Sequence, residues 1–571
     1  MEYIILAAAL FILIVLIMGK EYLNTRAFRR KVLEKVFQSY GTLPERTYKA
    51  EELEHICYYF QRHKQEHTID DITWNDLNMD DIYCLLNASC SAAGDEYLYY
   101  RLRTPMYDIR ELEAEERRIR YFQENAKERE AMQEALWMLG RSGKHSVYEY
   151  LDNLENLGER NNVRYFFLDF LLVVGIGIMF VSLSVGIVFF LAVSCFNVTH
   201  YYKEYKKVEP YVTSFYYIHR LLEGADRIRK IPLKAFGEEK ERLEACCRAL
   251  RAFQRNSGLV ISNEKGSGNP LSILIDYLRM FFYLDLIQFN RTLSELRGHL
   301  GEVDELLTRI GQMETAIVIA SYRKYLGEQW CVPEFSVEKK DTEAFLKIEN
   351  AVHPLLENAV SNSITTHKSV LLTGSNASGK STFLRTVGIC ALLAQTIHTC
   401  PAQSYQAPLF RIYSSMSLKD DLQSGDSYYM AEVKSIKRIL DQVENARNEQ
   451  VAVLCFVDEV LRGTNTVERI SASTQILRML AQKNAVAFAA THDGELTGLL
   501  ENLYDNYHFE ETMQQNDIFF PYQLMKGPAT TRNAIALLKI LGYDDGIVME
   551  AEQMAKHFQE TGEWSVCAGC I

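Results

Sequence analysis

Proline is scarce in this chain, 11 in 571 residues, and glycine is modest at 30. With no internal repeat and no low-complexity tract, such thin punctuation leaves long stretches free to run as helix. Excess positive charge is missing too: 62 Lys and Arg stand against 75 Asp and Glu, a formal net charge of −13. That balance excludes a broad polyphosphate-binding surface, while leaving room for a local basic stripe. The twelve cysteines lack a disulfide-like framework, so the reading is a reducing compartment. Cys390 and Cys455 fall in an expected helix and an expected strand, where small buried thiols are common. The terminal pair Cys567 and Cys570 has redox or zinc-ribbon spacing but no companion pair, and is read as tail.

Charge is nearly absent from two long runs. The first is YIILAAALFILIVLIM, residues 3–18. Glu2 precedes it, and Lys20, Arg26, Arg29, Arg30 and Lys31 follow. That charge order is expected of an uncleaved anchor with its N-terminus outside and the rest of the chain in the cytoplasm. The second run, residues 165–200, has Asp169 near its start and then LLVVGIGIMFVSLSVGIVFFLAV. One tilted helix fits its length. However, Arg160 and Arg164 flank it on one side and Lys203, Lys206 and Lys207 on the other. Two cytoplasmic flanks favour a transmembrane hairpin of two short helices turning near Ser182–Gly186. A helical hairpin buried in a soluble core is the competing reading.

The length allows three or four domains. Around the second run, charged and apolar residues mix at helical spacing. In IRELEAEERRIRYFQENAKEREAMQEALWML, Leu112, Ile119, Phe122, Met132 and Leu136 share one stripe, and the Glu/Arg runs are solvated faces. Pro333 and the polar EKKDTE beyond it mark a boundary near residues 333–345.

Beyond that boundary, short apolar strands alternate with helices. SVLLTG (369–374) reads as a buried strand, followed by GSNASGKST and a helix. This is the G-x-x-x-x-G-K-[ST] template in its strand–loop–helix context. Gly374 and Gly379 let backbone N–H groups converge on phosphate at a helix N-terminus. Lys380 is placed to reach the β- and γ-phosphates, and the Ser381 hydroxyl to ligate Mg²⁺. VAVLCFVDE (451–459) is an apolar strand ending in two carboxylates. Asp458 is the expected Mg²⁺ holder, and Glu459 the group that orients or deprotonates an attacking water. A third strand, AVAFAATHD, ends near His492, where a γ-phosphate sensor belongs.

These motifs, with DDLQSGDSYYMAEVKSI (420–436), DEVLRGTN (458–465), ATHDGEL (490–496) and YQLMKGPATTRNAIALLKILGY (522–543), resemble the MutS DNA mismatch repair ATPases in order and spacing. VHP (352–354) resembles the opening of that family's ATPase domain. Residues 77–122 resemble its lever domain, and 310–324 the lever's return. The resemblance implies ATP and Mg²⁺ as cofactors, with Asn376 and Thr382 also at the nucleotide. It implies a homodimer with composite ATP sites, in which Ser427 reaches the partner subunit's nucleotide and Met430 and Glu432 share its signature helix. It makes His492 the catalytic histidine and implies that nucleotide state is passed to helical levers as a rigid-body change.

The expected organisation is an all-α lever region with transmembrane segments, followed by an α/β P-loop NTPase domain. It divides into an N-terminal anchor (1–20), a first lever-like part (21–160), the hairpin (165–200), a second lever-like part (201–345) and a MutS-type ATPase domain with C-terminal dimerisation helices (346–571). Departures from the family pattern are Ala377-Ser378 in the phosphate loop, Leu461 in place of a Gly, and SYY in place of Ser-Thr-Phe. Too few residues precede the lever-like region for the family's mismatch-reading domains. The Phe-x-Glu strings at Phe122, Phe236, Phe509 and Phe558 are assigned no role. No basic cluster with interleaved aromatics stands out, so DNA is a partner by resemblance alone. The expectation is thus an ATPase at the cytoplasmic membrane. The alternatives are a soluble repair factor on mismatched or branched DNA, and a membrane ATPase with a non-DNA client.

Overall fold

The computed structural model describes residues 20–141 (apart from 21, 22 and 25), 146–261 (apart from 157 and 159), 280–336, 344–375, 378–416, 428–529 (apart from 450, 463, 515 and 516), 535, 538, 540 and 542–564. The expected N-terminal anchor, Asn376, Ser427 and the Cys567/Cys570 pair lie outside them. The chain forms two compact units: residues up to 64, 86–100 and 116–325 make one, and 65–85, 101–115 and 326–571 make the other.

Among the described residues, the regular elements of the first unit are all helices. The stripe expected over 109–139 is buried at all five positions, but the helix breaks at Asn125, between Ile109–Glu124 and Ala126–Leu139. Aromatic rings fill the core: Phe122 packs on Phe236 at 5.2 Å, and Phe215 on Phe289 at 4.9 Å. Two of the four Phe-x-Glu phenylalanines are thereby accounted for as core.

The apolar run forms α1 (Val163–Val181) and α2 (Leu183–Lys230), joined by Ser182 alone. The turn closes its own backbone: Ser182 N–H donates to Ile178 O at 2.8 Å, and Gly186 N–H to Ser182 O at 2.9 Å. Gly186 is required there, since a Cβ would lie 2.5 Å from the Met179 nitrogen. The return arm is not a short helix. It runs on for 48 residues, because its second half is amphipathic and buries Val208, Phe215, Ile218, Leu221, Leu222, Ala225 and Ile228 in the helical unit. Its first half and α1 leave Phe166, Phe170, Phe180, Val181, Val188 and Leu191 exposed.

Helix α3 (Leu300–Leu326) is buried along most of its length. It carries Arg323, paired with Glu116 at 2.6 Å, and Glu314. The Glu314 carboxylate accepts from the N–H groups of Cys90 and Ser91 and from the Ser91 hydroxyl. It thus sits at the positive end of helix Ala92–Arg103. Burial still pushes Glu314 up to about 7, against those hydrogen bonds, and pushes nearby Glu96 up to about 8.

The second unit is mixed α/β. Its strands are β1 (Glu334–Phe335), β2 (Leu346–Ala351), β3 (Asn362–Thr366), β4 (Ser369–Thr373), β5 (Ser404–Ala407), β6 (Phe410–Ser415), β7 (Ala452–Asp458), β8 (Ala485–Ala490), β9 (Tyr504–His508), β10 (Thr512–Gln514), β11 (Asp517–Phe519) and β12 (Met525–Lys526). The main sheet has the order β12-β9-β4-β8-β7-β6 and is parallel except for β12. Strands β4 and β8 are buried at every residue, as parallel strands covered on both faces must be. A second sheet has the order β1-β5-β2-β3, and β10 pairs with β11 as a hairpin. Helices α4 (Lys380–Ile397), α5 (Tyr428–Glu449) and α6 (Thr466–Leu480) pack on the main sheet.

Candidate functional site

The buried strand β4 delivers the chain to Gly374, whose φ of +141° belongs to glycine. A Cβ there would sit 2.7 Å from the Phe509 carbonyl oxygen. Gly379, at φ +107°, is the N-cap of α4 and offers no capping side chain. The first-turn N–H groups of α4 therefore point out of the helix end as an anion-binding set. Lys380 is 5% exposed and donates to the carbonyl oxygens of Gly374 and Ser375, at 2.8 and 2.7 Å. Burial lowers its pKa, and the charges of Asp458, Glu459 and Glu511 oppose that shift.

Strand β7, separated from β4 by β8, ends at Asp458, which accepts a hydrogen bond from the Ser381 hydroxyl. Burial raises the Asp458 pKa, while the Ser381 bond and the Lys380 charge pull it back. The two expected Mg²⁺ ligands thus touch. A hydroxyl and a carboxylate suit Mg²⁺, which takes few protein oxygens and keeps water and phosphate. Among the described residues no cluster of three or more His, Cys, Asp and Glu could hold a metal, in keeping with that sparse donor set. Glu459 lies 2.8 Å from His492 Nε2 and 3.0 Å from Arg462 Nε. Behind His492, Arg469 clamps Asp493 with two bonds of 2.9 and 2.6 Å.

Around these groups is a cavity of about 810 Å³. Gly379, Lys380, Ser381, Thr382 and Glu459 line one side, and His353, Asn362, Phe509 and Tyr522 are among its other walls. The residues expected at a nucleotide and described here, Gly374, Gly379, Lys380, Ser381, Thr382, Asp458, Glu459 and His492, are therefore within one neighbourhood.

Residues 370–559 match the family model of MutS domain V. The chain is 33% identical over 215 residues to the DNA mismatch repair protein MutS of Thermus aquaticus, covering 37% of this chain and 26% of that protein. It is 28% identical over 287 residues to the MutS of Lactobacillus acidophilus, covering 48% of this chain and 32% of that protein. Over these residues the chain is similar to MutS domain V. The chain spans about a third or less of the length of these curated relatives.

Several contacts around the cavity carry no sequence motif. Asn362 ties β3 to the segment that leads into β12: its Nδ2 donates to Tyr522 O at 3.0 Å, and its Oδ1 accepts from Leu524 N–H at 2.7 Å. Glu511 accepts from the Ser375 hydroxyl at 2.8 Å. Burial, with the Arg385 charge, lowers His353 to about 4, so it is a neutral wall residue at physiological pH. The quoted YQLMKG and VHP segments flagged two of these regions, but nothing local in the sequence marked Asn362 or Glu511 as site residues. Phe509, the third Phe-x-Glu phenylalanine, is 2% exposed in this wall, and Phe558 stacks on Trp564 at 4.2 Å.

Proposed function

We propose that the chain is a Mg²⁺-dependent, MutS-like ATPase whose site is completed by a second copy. The observation that carries this reading is the convergence of Lys380, the Ser381–Asp458 contact and the Glu459–His492 pair on the end of one phosphate-type loop. Loop N–H groups and Lys380 hold the triphosphate. Ser381 and Asp458 hold Mg²⁺, which when bound offsets phosphate charge. Glu459 orients a water for attack on the γ-phosphorus and takes its proton; the phosphorus–oxygen bond to the leaving diphosphate breaks. His492 fixes the Glu459 carboxylate and faces the γ-phosphate. Ser427, by family resemblance, reaches the partner subunit's nucleotide. Mixing Ser427→Ala with Lys380→Ala subunits tests this sharing: both parents are impaired, and turnover above their average is expected because the mixed dimer regains one site with both Lys380 and Ser427, whereas no rise on mixing, or an unimpaired monomeric ATPase, refutes it.

The work is done at the cytoplasmic membrane, with the helical unit and the ATPase on the cytoplasmic side. Supporting this, α1 and Leu183–Glu209 are each long and apolar enough to cross a membrane. The 19 residues of α1 reach ~28 Å, close to the ~30 Å of a hydrocarbon core. Tyr165, Tyr201 and Tyr283 gather at the hairpin base, with rings 5.0 to 6.3 Å apart. Interfacial tyrosines favour that depth. Partition of the full chain into the soluble fraction without detergent would sink this part. DNA is a client only by family likeness. Absence of salt-sensitive affinity for duplex, branched or mismatched DNA would leave a membrane ATPase with another client.

A further inference from the structure

The loop that follows Asp458 is held in an unusual conformation. Glu459 and Leu461 both have left-handed backbones, at φ +55° and +58°, a region that side chains other than Gly, Asn and Asp seldom adopt. Two such residues in three persist only where the surroundings over-determine them, and such strain gathers at functional sites. Three anchors do this here. Glu459 N–H donates to Ala490 O of β8 at 2.9 Å, and the Ser473 hydroxyl of α6 donates to Val460 O at 3.2 Å. The third is a carboxylate: Leu461 N–H donates to Glu432 Oε1. Glu432 belongs to α5, is 5% exposed, and turns Oε1 to that backbone group. A buried carboxylate is costly unless it is hydrogen-bonded, so this is a committed contact.

Helix α5 begins at Tyr428, one residue after Ser427. The same helix thus starts beside the proposed trans contact and, one turn in, grips the loop bearing the proposed water-orienting Glu459. We propose that Glu432 is a positioning residue for hydrolysis: it fixes the 459–461 loop so that the Glu459 carboxylate stays aimed, and it links that aim to the placement of α5. This rests on the ATPase reading. Glu432 touches neither nucleotide nor water; it acts through Leu461 and the loop.

The test compares Glu432→Ala, Glu432→Gln and Glu432→Asp in the full-length protein, reading kcat, KM and equilibrium nucleotide affinity. Alanine removes the acceptor and lowers kcat by on the order of 10- to 100-fold, the scale of a small misplacement, while nucleotide affinity stays within about two-fold. Glutamine keeps an Oε1 acceptor and restores kcat to within about three-fold. Aspartate withdraws the acceptor by one methylene and behaves as alanine does, which keeps the test decisive if the alanine protein does not fold. Wild-type kcat in the alanine or aspartate protein overturns the proposal, as does glutamine behaving like alanine or a loss confined to affinity. A wild-type chain without Mg²⁺-dependent turnover overturns the ATPase reading and this one with it. Wild-type turnover matched by Glu432→Ala overturns this one alone.

Discussion

Leu461 shows how single residues are balanced near the site. Its left-handed backbone costs ~1–2 kcal/mol relative to a favoured conformation, a cost that glycine at that position avoids. Its side chain is 5% exposed and belongs to the cluster with Val457, Leu477 and Leu496, and burying a leucine stabilises by ~1.5–3 kcal/mol. Packing therefore outweighs strain. Leu461→Gly is expected to lose about 1–2 kcal/mol by thermal or urea unfolding, once glycine's entropy is included; a more stable variant would reverse the order of the two effects. At this scale the sequence was informative wherever chemistry is local. Lys380, Ser381, Asp458, Glu459 and His492 were legible because a phosphate loop and strand-end carboxylates have short signatures. Asn362, Glu511 and the Glu432 grip on Leu461 were not, because each joins positions between 29 and 162 residues apart.

Among the elements, the apolar hairpin is the one whose backbone leaves least freedom. Ser182 alone makes the turn, and Gly186 meets the Met179 backbone. Gly186→Val places a side chain where main chain already lies, so the arms must splay. Such overpacking costs typically ~1–3 kcal/mol. The expected readout is faster proteolysis or greater cysteine labelling of Cys195 in the hairpin in detergent, with ATP affinity unchanged; an unaltered hairpin would contradict the close crossing. The uncharged run and its turn were readable from composition. The length of α2 was not, because the pattern changes from all-round apolar to one-sided at about residue 203, a change that composition reads as a boundary and the backbone crosses without a break. Asn125 is the opposite case, a helix break inside a continuous stripe.

For the whole molecule, the helical unit carries a pH dependence of its own. Burial raises Glu96 to about 8 and Glu314 to about 7, so the folded chain holds protons that the unfolded chain releases. The stability they contribute is fully present below the ordinary carboxylate range near 4.5 and is lost as pH rises through 7 to 8. The slope reaches about 1.4 kcal/mol per pH unit for each proton released. Glu96→Gln, which needs no proton, is expected to flatten the fall in unfolding temperature between about pH 5 and 8; an unchanged slope would remove Glu96 from this account. The division into a helical unit and an α/β unit followed from pattern, whereas the grouping of 65–85 and 101–115 with the α/β unit depends on tertiary packing that spacing does not encode. The central claim is ATP turnover by this chain through Glu459. Its most direct measurement is Mg²⁺-dependent ATP hydrolysis, alongside ATP affinity, for the detergent-solubilised full chain and its Glu459→Ala variant. Wild-type hydrolysis with a variant that binds ATP normally and fails to turn it over is the outcome expected here. Equal turnover by the two proteins would contradict it.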